Sequence, residues 1–277
     1  MSKVRLHNMF WTILALLAAA IILFPFYWII TSSLKTDAEI FQRPPTFWPQ
    51  LITFEPYLSQ LIGSNSVLLP ARNSFIIATS AMLISFFLAV PAAYGISRFN
   101  IPGARIIIMI FLVTQMLPAS VLLTPMFLTF STLGWLNTYQ APVLAITTIT
   151  IPFTMLVLRP MFMACPKELE EAARIDGCNR ITAFLRVAMP IIKPGLVTVL
   201  CFGFVHGWND IIFSLTFNNR GALFPMTTSI FNLMNEDGMF WNMIMAFGTM
   251  LIIPPVVIFI VAQRYIISGL IGGAVKG

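Results

Sequence analysis

The sequence predicts an all-α polytopic membrane protein, and three observations predict it. The 277 residues have a mean hydropathy of +0.88, and only 9% of them are Asp, Glu, Lys or Arg. A water-soluble domain of this length carries far more charge. Six stretches are apolar over about 20 residues, the length that crosses the hydrocarbon layer of a bilayer. Lys and Arg, finally, are unevenly shared among the segments that join those stretches.

The first stretch, 10–32, follows Lys3 and Arg5. A secretory signal also places basic residues before an apolar run. This run is too long for one, and no small-x-small cleavage site follows it, so an uncleaved membrane helix is expected. The other runs cover 73–97, 105–127, 138–159, 191–217 and 241–263. Each is expected to be helical, because lipid offers no partner to an open backbone. Pro25, Pro91, Pro118, Pro125, Pro152, Pro254 and Pro255 lie within these runs. A proline kink leaves room for a cavity. Proline is also an ordinary residue of membrane helices, so no single one marks a pathway.

Orientation follows from the cations. With the N-terminus in the cytoplasm, the inside segments hold 12 of the 16 Lys and Arg, and the outside segments hold Lys35, Arg43, Arg72 and Arg220. That bias places both termini in the cytoplasm, together with the stretch 160–190. Two outside segments are long, 33–72 with its RPPTFWPQ stretch and 218–240. Neither contains a run that could span. Each is either a linker or a surface for an external partner. The formal net charge of +6 would suggest nucleic acid in a soluble protein; here its distribution points to membrane lipid and no nucleic acid. Cys165, Cys178 and Cys201 match neither a zinc site nor a redox CxxC pair.

The stretch 160–190 is exceptional. Eight of the 20 residues from Lys167 to Arg186 are charged. Pro166 can open a helix, and Glu168, Glu170 and Glu171 suit the positive end of its dipole. Gly177 stands where a left-handed stop is wanted. Asn179 can cap a second helix, RITAFLRVAM, which Pro190 is expected to end. Helices this short are not stable alone in water and need a surface to pack on. Ala172 and Ala173 allow close approach, and Glu171 and Arg174 can pair with charges across a contact. A docking element fits better than a solvated loop, which needs no helix signals at both ends.

Glu171-Ala172-Ala173, three residues, Gly177, nine residues and then Val187-x-Met189-Pro190 resemble the EAA motif of bacterial ABC importer permeases. The family carries Ile and Leu where this chain has Val187 and Met189. SSLK at 32–35, RNSF at 72–75, AAYGISRFNIPG, MLPASVLLTPMF, LGWLNT, GWND at 207–210 and the terminal GAVKG resemble the second permease of maltose and glycerol-phosphate type importers. FEPYL departs from the family, which usually has Asn before Tyr57. The resemblance covers nearly the whole chain. It implies the type I ABC importer permease fold with six transmembrane helices, as one permease domain over 1–277. It implies that Glu171, Ala172, Ala173, Arg174, Gly177 and Pro190 belong to a loop gripped by a cytoplasmic ATPase. GAVKG either touches that ATPase or is a free tail. The implied partners are a second homologous permease, two ATPase subunits, an extracytoplasmic solute-binding protein and a carbohydrate. The segment 218–240, with NEDG at its tip, would reach the binding protein.

The chain itself has no G-x-x-x-x-G-K-[ST], so ATP and Mg are expected on the partner ATPases and no cofactor or metal on this chain. H-E-x-x-H and G-x-S-x-G are absent, which argues against catalysis. Asp210 is the one acid well inside an apolar run, with Trp208 and Asn209 beside it. Aromatic faces, amides and carboxylates hold sugars, so the trio could line a path or gate. Helix-to-helix fastening explains Asp210 as well. Consecutive residues diverge around a helix, so the three cannot all face one ligand. A permease for a non-sugar solute is the nearest alternative. A secondary transporter would need coupling acids or internal repeats, and Asp210 alone is a thin basis for one.

Overall fold

The computed structural model describes residues 3–63, 66–234 and 240–274, and among these it is helical with no strand. In chain order the helices are α1 (Lys3–Ser33), α2 (Asp37–Ile40), α3 (Glu55–Ile62), α4 (Leu68–Arg98), α5 (Ala104–Met116), α6 (Ala119–Thr132) and α7 (Gln140–Ala164). They continue with α8 (Lys167–Ile175), α9 (Arg180–Ala183), a π-helical turn (Phe184–Ala188), α10 (Met189–Ile191), α11 (Lys193–Trp208), α12 (Ile212–Phe217), α13 (Met226–Ser229) and α14 (Trp241–Ala274). Single 3₁₀ turns lie at Gly221–Leu223 and Ile230–Met234.

Four described helices are long and apolar enough to cross a membrane: α1, α4, α7 and α14. Two bent pairs raise the number to six if each counts as one span. Neither pair is a straight helix. The run 105–127 breaks between α5 and α6, which meet at 101°. The break falls at Leu117–Pro118, where proline has no amide hydrogen to donate and drives the preceding residue out of the helical region. The run 191–217 is interrupted between Trp208 and Ile212, and at its start α11 meets the preceding helix at 81°. Other helices outrun their apolar stretches. α4 begins at Leu68, α7 continues through Arg159 and Pro160 to Ala164, and α14 reaches Ala274. The segment between α7 and the next long helix is therefore shorter than 160–190.

The chain forms two compact units, Met1–Leu68 with Ile230–Ile253, and Leu69–Ser229 with Pro254–Gly277. In the first, the segment after α1 is a folded cap. Lys35 is buried, with its ammonium 4.9 Å from the Trp28 ring and donating to the Thr46 carbonyl. Tyr27 Oη donates to Phe47 O at 2.6 Å, and Ser33 Oγ lies 2.5 Å from Tyr57 Oη. Gln60 Nε2 donates to Met243 O at 2.7 Å, and the Asn242 amide donates to Asp37 Oδ1 at 3.1 Å. The stretch 33–72 is thus more than a loose linker. NEDG falls outside the described residues, as does most of GAVKG.

The second unit has two apolar cores along α4 and α7. One gathers Ala89, Val90, Ala93, Leu158, Phe162, Ala188 and Val199 around the charged stretch. The other joins Ile77, Ala81, Phe130, Ala145, Ile146, Phe213 and Phe217. Small residues let these helices approach. A Cβ added at Gly207 of α11 would lie 2.7 Å from Ala78 Cα of α4, so the two backbones touch there.

Candidate functional site: the charged loop and the break after α11

α8 starts directly after Pro166, which occupies the position before the first turn. Glu168 and Glu170 lie in that turn, where the exposed amide dipoles favour carboxylates. The helix stops at Gly177, whose φ of +92° a Cβ-bearing residue rarely adopts. The Cys178 amide closes the end on Ala173 O at 2.9 Å, and the Asp176 amide bonds to Ala172 O at 3.0 Å, so the carbonyls freed by the stop are met. Asn179 then caps α9, accepting from the Thr182 amide at 2.8 Å.

Pro190 does not end this second helix, contrary to the expectation from its sequence. It sits inside α10, and the chain stays helical until Ile192. The wider π turn at Phe184–Ala188 precedes it. Such a turn changes the carbonyl register in which a proline would otherwise clash.

The charges divide into two sets. Glu171, Ala172, Arg174 and Gly177 are exposed, and Ala173 is half-buried. Glu170, one residue earlier, is buried. Its Oε1 accepts from Arg98 Nε at 2.7 Å and lies 2.6 Å from Arg98 Nη2, while Oε2 is 2.5 Å from Tyr94 Oη. The side chains of Arg98 and Glu170 are only 6% and 10% exposed, so this is a desolvated pair rather than a surface one. Arg98 Nη2 also donates to Cys165 O at 3.0 Å. The Tyr94 ring packs on Phe162 and Phe184, with centroids 5.4 and 4.6 Å away. Burial pushes the Cys165 thiol up from its ordinary value.

A pocket of about 140 Å³ opens beside this pair, lined by Tyr94, Arg98, Phe99, Lys167, Glu170, Glu171, Arg174, Arg180 and Ala183. Four of these are cations and two are acids. The Arg180 guanidinium lies 5.6 Å from the Phe99 ring centroid. Glu171 and Arg174 are legible in the sequence as contact residues, whereas Tyr94 and Arg98 are not, and Glu170 reads there only as a dipole partner. One signal was available: Tyr94 and Arg98 are four residues apart, on one face of a helix, next to its charged end.

Trp208, Asn209 and Asp210 do not share a face. Trp208 is buried, stacked on Phe204 at 5.6 Å and edge-on to Phe75 at 4.9 Å. Asn209 is exposed. Asp210 stands in the break between α11 and α12 rather than within a helix, and its carboxylate serves the start of α12. Oδ2 accepts from the Ser214 amide at 2.9 Å and from Ser214 Oγ at 2.7 Å, and Oδ1 accepts from the Phe213 amide at 3.2 Å. Thr227 Oγ1 donates to the Asp210 carbonyl. The apolar run 191–217 reads as one helix in the sequence, which hides this capping role. Nearby, Asn73 Nδ2 donates to Ala222 O and Phe224 O at 2.9 and 3.0 Å, and Tyr139 Oη donates to Asn73 Oδ1 at 2.7 Å. Among the described residues, no three His, Cys, Asp or Glu side chains gather as a metal site.

The model of the family of binding-protein-dependent transport system inner membrane components matches residues 81–272, and the chain belongs to this family. It is 32% identical to the sulfoquinovosyl glycerol transport system permease protein SmoH of Agrobacterium fabrum, over 95% of this chain and 94% of that one. It is 32% identical to the diacetylchitobiose uptake system permease protein DasC of Streptomyces coelicolor, over 92% of each. A third relative, the trehalose/maltose transport system permease protein MalG of Thermococcus litoralis, is also 32% identical, over 95% of each. The fold matches a chain of a bacterial ABC transporter involved in the import of the acidic polysaccharide alginate. The TM-score is 0.80 at 23% identity, over 96% of this chain and 99% of that one. The chain is thus an inner membrane component of a transport system, with the fold of an ABC importer subunit.

Proposed function

We propose that this chain is the permease subunit of a binding-protein-dependent ABC importer for carbohydrates, forming half of the translocation path and coupled to ATPase subunits through the EAA loop. The observation that carries the coupling is the loop's division of charge. Glu170 is spent inside the fold, whereas Glu171, Ala172, Arg174 and Gly177 face outward on a helix ended by a left-handed glycine. A rigid, capped and exposed charged helix is what a partner can grip. The carbohydrate class is supported by the sugar and glycoside names of SmoH, DasC and MalG.

In this reading the whole of 1–277 is one permease domain whose six spans follow the apolar runs 10–32, 73–97, 105–127, 138–159, 191–217 and 241–263, with 160–190 as the cytoplasmic coupling loop. Both termini and α8 are assigned to the cytoplasmic side of a bacterial membrane, as the excess of Lys and Arg in the inside segments supports. The partners are a second homologous permease, two ATPase subunits that hold ATP and Mg, and an extracytoplasmic solute-binding protein. The chain performs no catalysis. Asp210 shapes the break after α11, Trp208 packs behind it, and the path or gate role is assigned to Asn209, supported by its exposure.

The test is co-purification of the tagged chain from its native membrane. An ATPase and a second permease should accompany it. A Glu171→Lys variant should lose most of the bound ATPase and of the uptake. Full recovery of both in that variant would remove Glu171 from the coupling surface.

A further inference from the structure

We propose that Arg98 and Glu170 are positioning residues for coupling: their ion pair locks α8 to the end of α4, so that motion imposed on α8 is delivered to that helix. The proposal rests on the importer reading above.

Three features of the pair point this way. First, both carboxylate oxygens are held, Oε1 by Arg98 and Oε2 by Tyr94. Tyr94 and Arg98 are four residues apart, so they grip the carboxylate from successive turns of α4 and oppose a pivot of α8. Second, the same guanidinium holds Cys165 O, where α7 ends and the chain turns into α8. One side chain therefore joins the ends of α4 and α7 to the start of α8. Third, Tyr94 packs on Phe162 of α7 and Phe184 of the π turn, which ties in the segment after Gly177. A buried ion pair is a poor device for stability, because apolar packing of equal volume does as well; fixing one arrangement is its better-attested use. The exposed residues of α8 give a partner its hold, and the buried pair keeps α8 from slipping under it.

The test measures whether α8 and α4 move as one body. The assembled complex, in a background with the three cysteines replaced, is spin-labelled at Ile175→Cys on α8 and Phe87→Cys on α4, both exposed positions. The label separation is read without nucleotide and with ATP. The expected result is an unchanged separation in the otherwise unsubstituted complex. With Glu170→Gln, ATP should change it by about 1–2 Å, the size of ordinary helix shifts. The double reversal Arg98→Glu with Glu170→Arg should restore the fixed separation. A separation that changes with ATP while the pair is intact, or that stays fixed in Glu170→Gln, would overturn the proposal. Where Glu170→Gln does not accumulate, Tyr94→Phe carries the same expectation, since it keeps the ring contacts and removes one donor. A chain that brings down no ATPase at all would instead sink the importer reading, a failure distinct from a complex that moves as one without the pair.

Discussion

The carboxylate of Glu39 accepts from Thr46 Oγ1 at 2.6 Å and from the Gln50 amide at 2.9 Å, both at Oε1. Burial works to raise its pKa, but these hydrogen bonds and the Lys35 charge outweigh burial and leave it below the ordinary glutamate value. A lowered pKa means that the ionised form supports the folded segment. That support is present above the unfolded-state pKa and is lost as pH falls through the folded one. The protection of the Gln50 amide against hydrogen exchange, relative to its intrinsic rate at each pH, should therefore be insensitive to this group near neutrality and fall in acid below the usual glutamate range. A Glu39→Gln variant should lose that acid dependence; if it keeps it, another group is responsible. Asp210 makes a different point at the same scale. Its three acceptor contacts satisfy the first amides of α12 and the Ser214 hydroxyl, so Asp210→Ala should destabilise the fold by about 1 kcal/mol, the usual cost of a lost cap. Thermal unfolding of the purified chain in detergent would show it. An unchanged midpoint would mean that water replaces the carboxylate.

Elements in this chain are joined by close backbone approach as much as by side-chain packing. Gly207 of α11 lies against Ala78 of α4, where an added Cβ would be 2.7 Å from backbone. Backbone cannot move aside as a flexible side chain can, so Gly207→Val should cost about 1–3 kcal/mol of strain and push the two helices apart. The expected signs are lower yield and a lower unfolding temperature, with a smaller loss for Gly207→Ala. Equal stability of all three proteins would show that the helices have room to separate. The π turn before Pro190 illustrates how an element survives a residue that should end it. The bend at Leu117–Pro118 shows the opposite outcome, where the proline divides α5 from α6.

Across the whole chain, the arrangement in the membrane is the property most open to a direct check. In a background with Cys165, Cys178 and Cys201 replaced, Ile175→Cys should react with a membrane-impermeant thiol reagent only when the inner face is open to it. Gln42→Cys should react from the outer face of intact cells. Both positions are exposed in the chain itself, and Ile175, on the helix proposed to meet the ATPase, is read after the ATPase has been stripped from the membrane. Reaction of both from one side would overturn the arrangement of six spans.

The sequence by itself determined the membrane class, the helical content, the positions of most long helices and the local design of the charged loop. These follow from hydropathy, proline and glycine placement and capping residues, which act over a few neighbours and can be read along the chain. Gly177 and Asn179 occupy the conformations that their positions predict for this reason. Only the tertiary structure decided that Glu170 turns inward while Glu171 stays exposed, because that depends on Arg98 and Tyr94 arriving from a helix some seventy residues earlier. It alone decided that Asp210 caps a break, since an apolar run reads the same whether its helix is continuous or interrupted. Hydropathy reports how much of a segment lipid or protein must cover. Which side chain meets which partner is set by packing between segments, and no window along the sequence contains both.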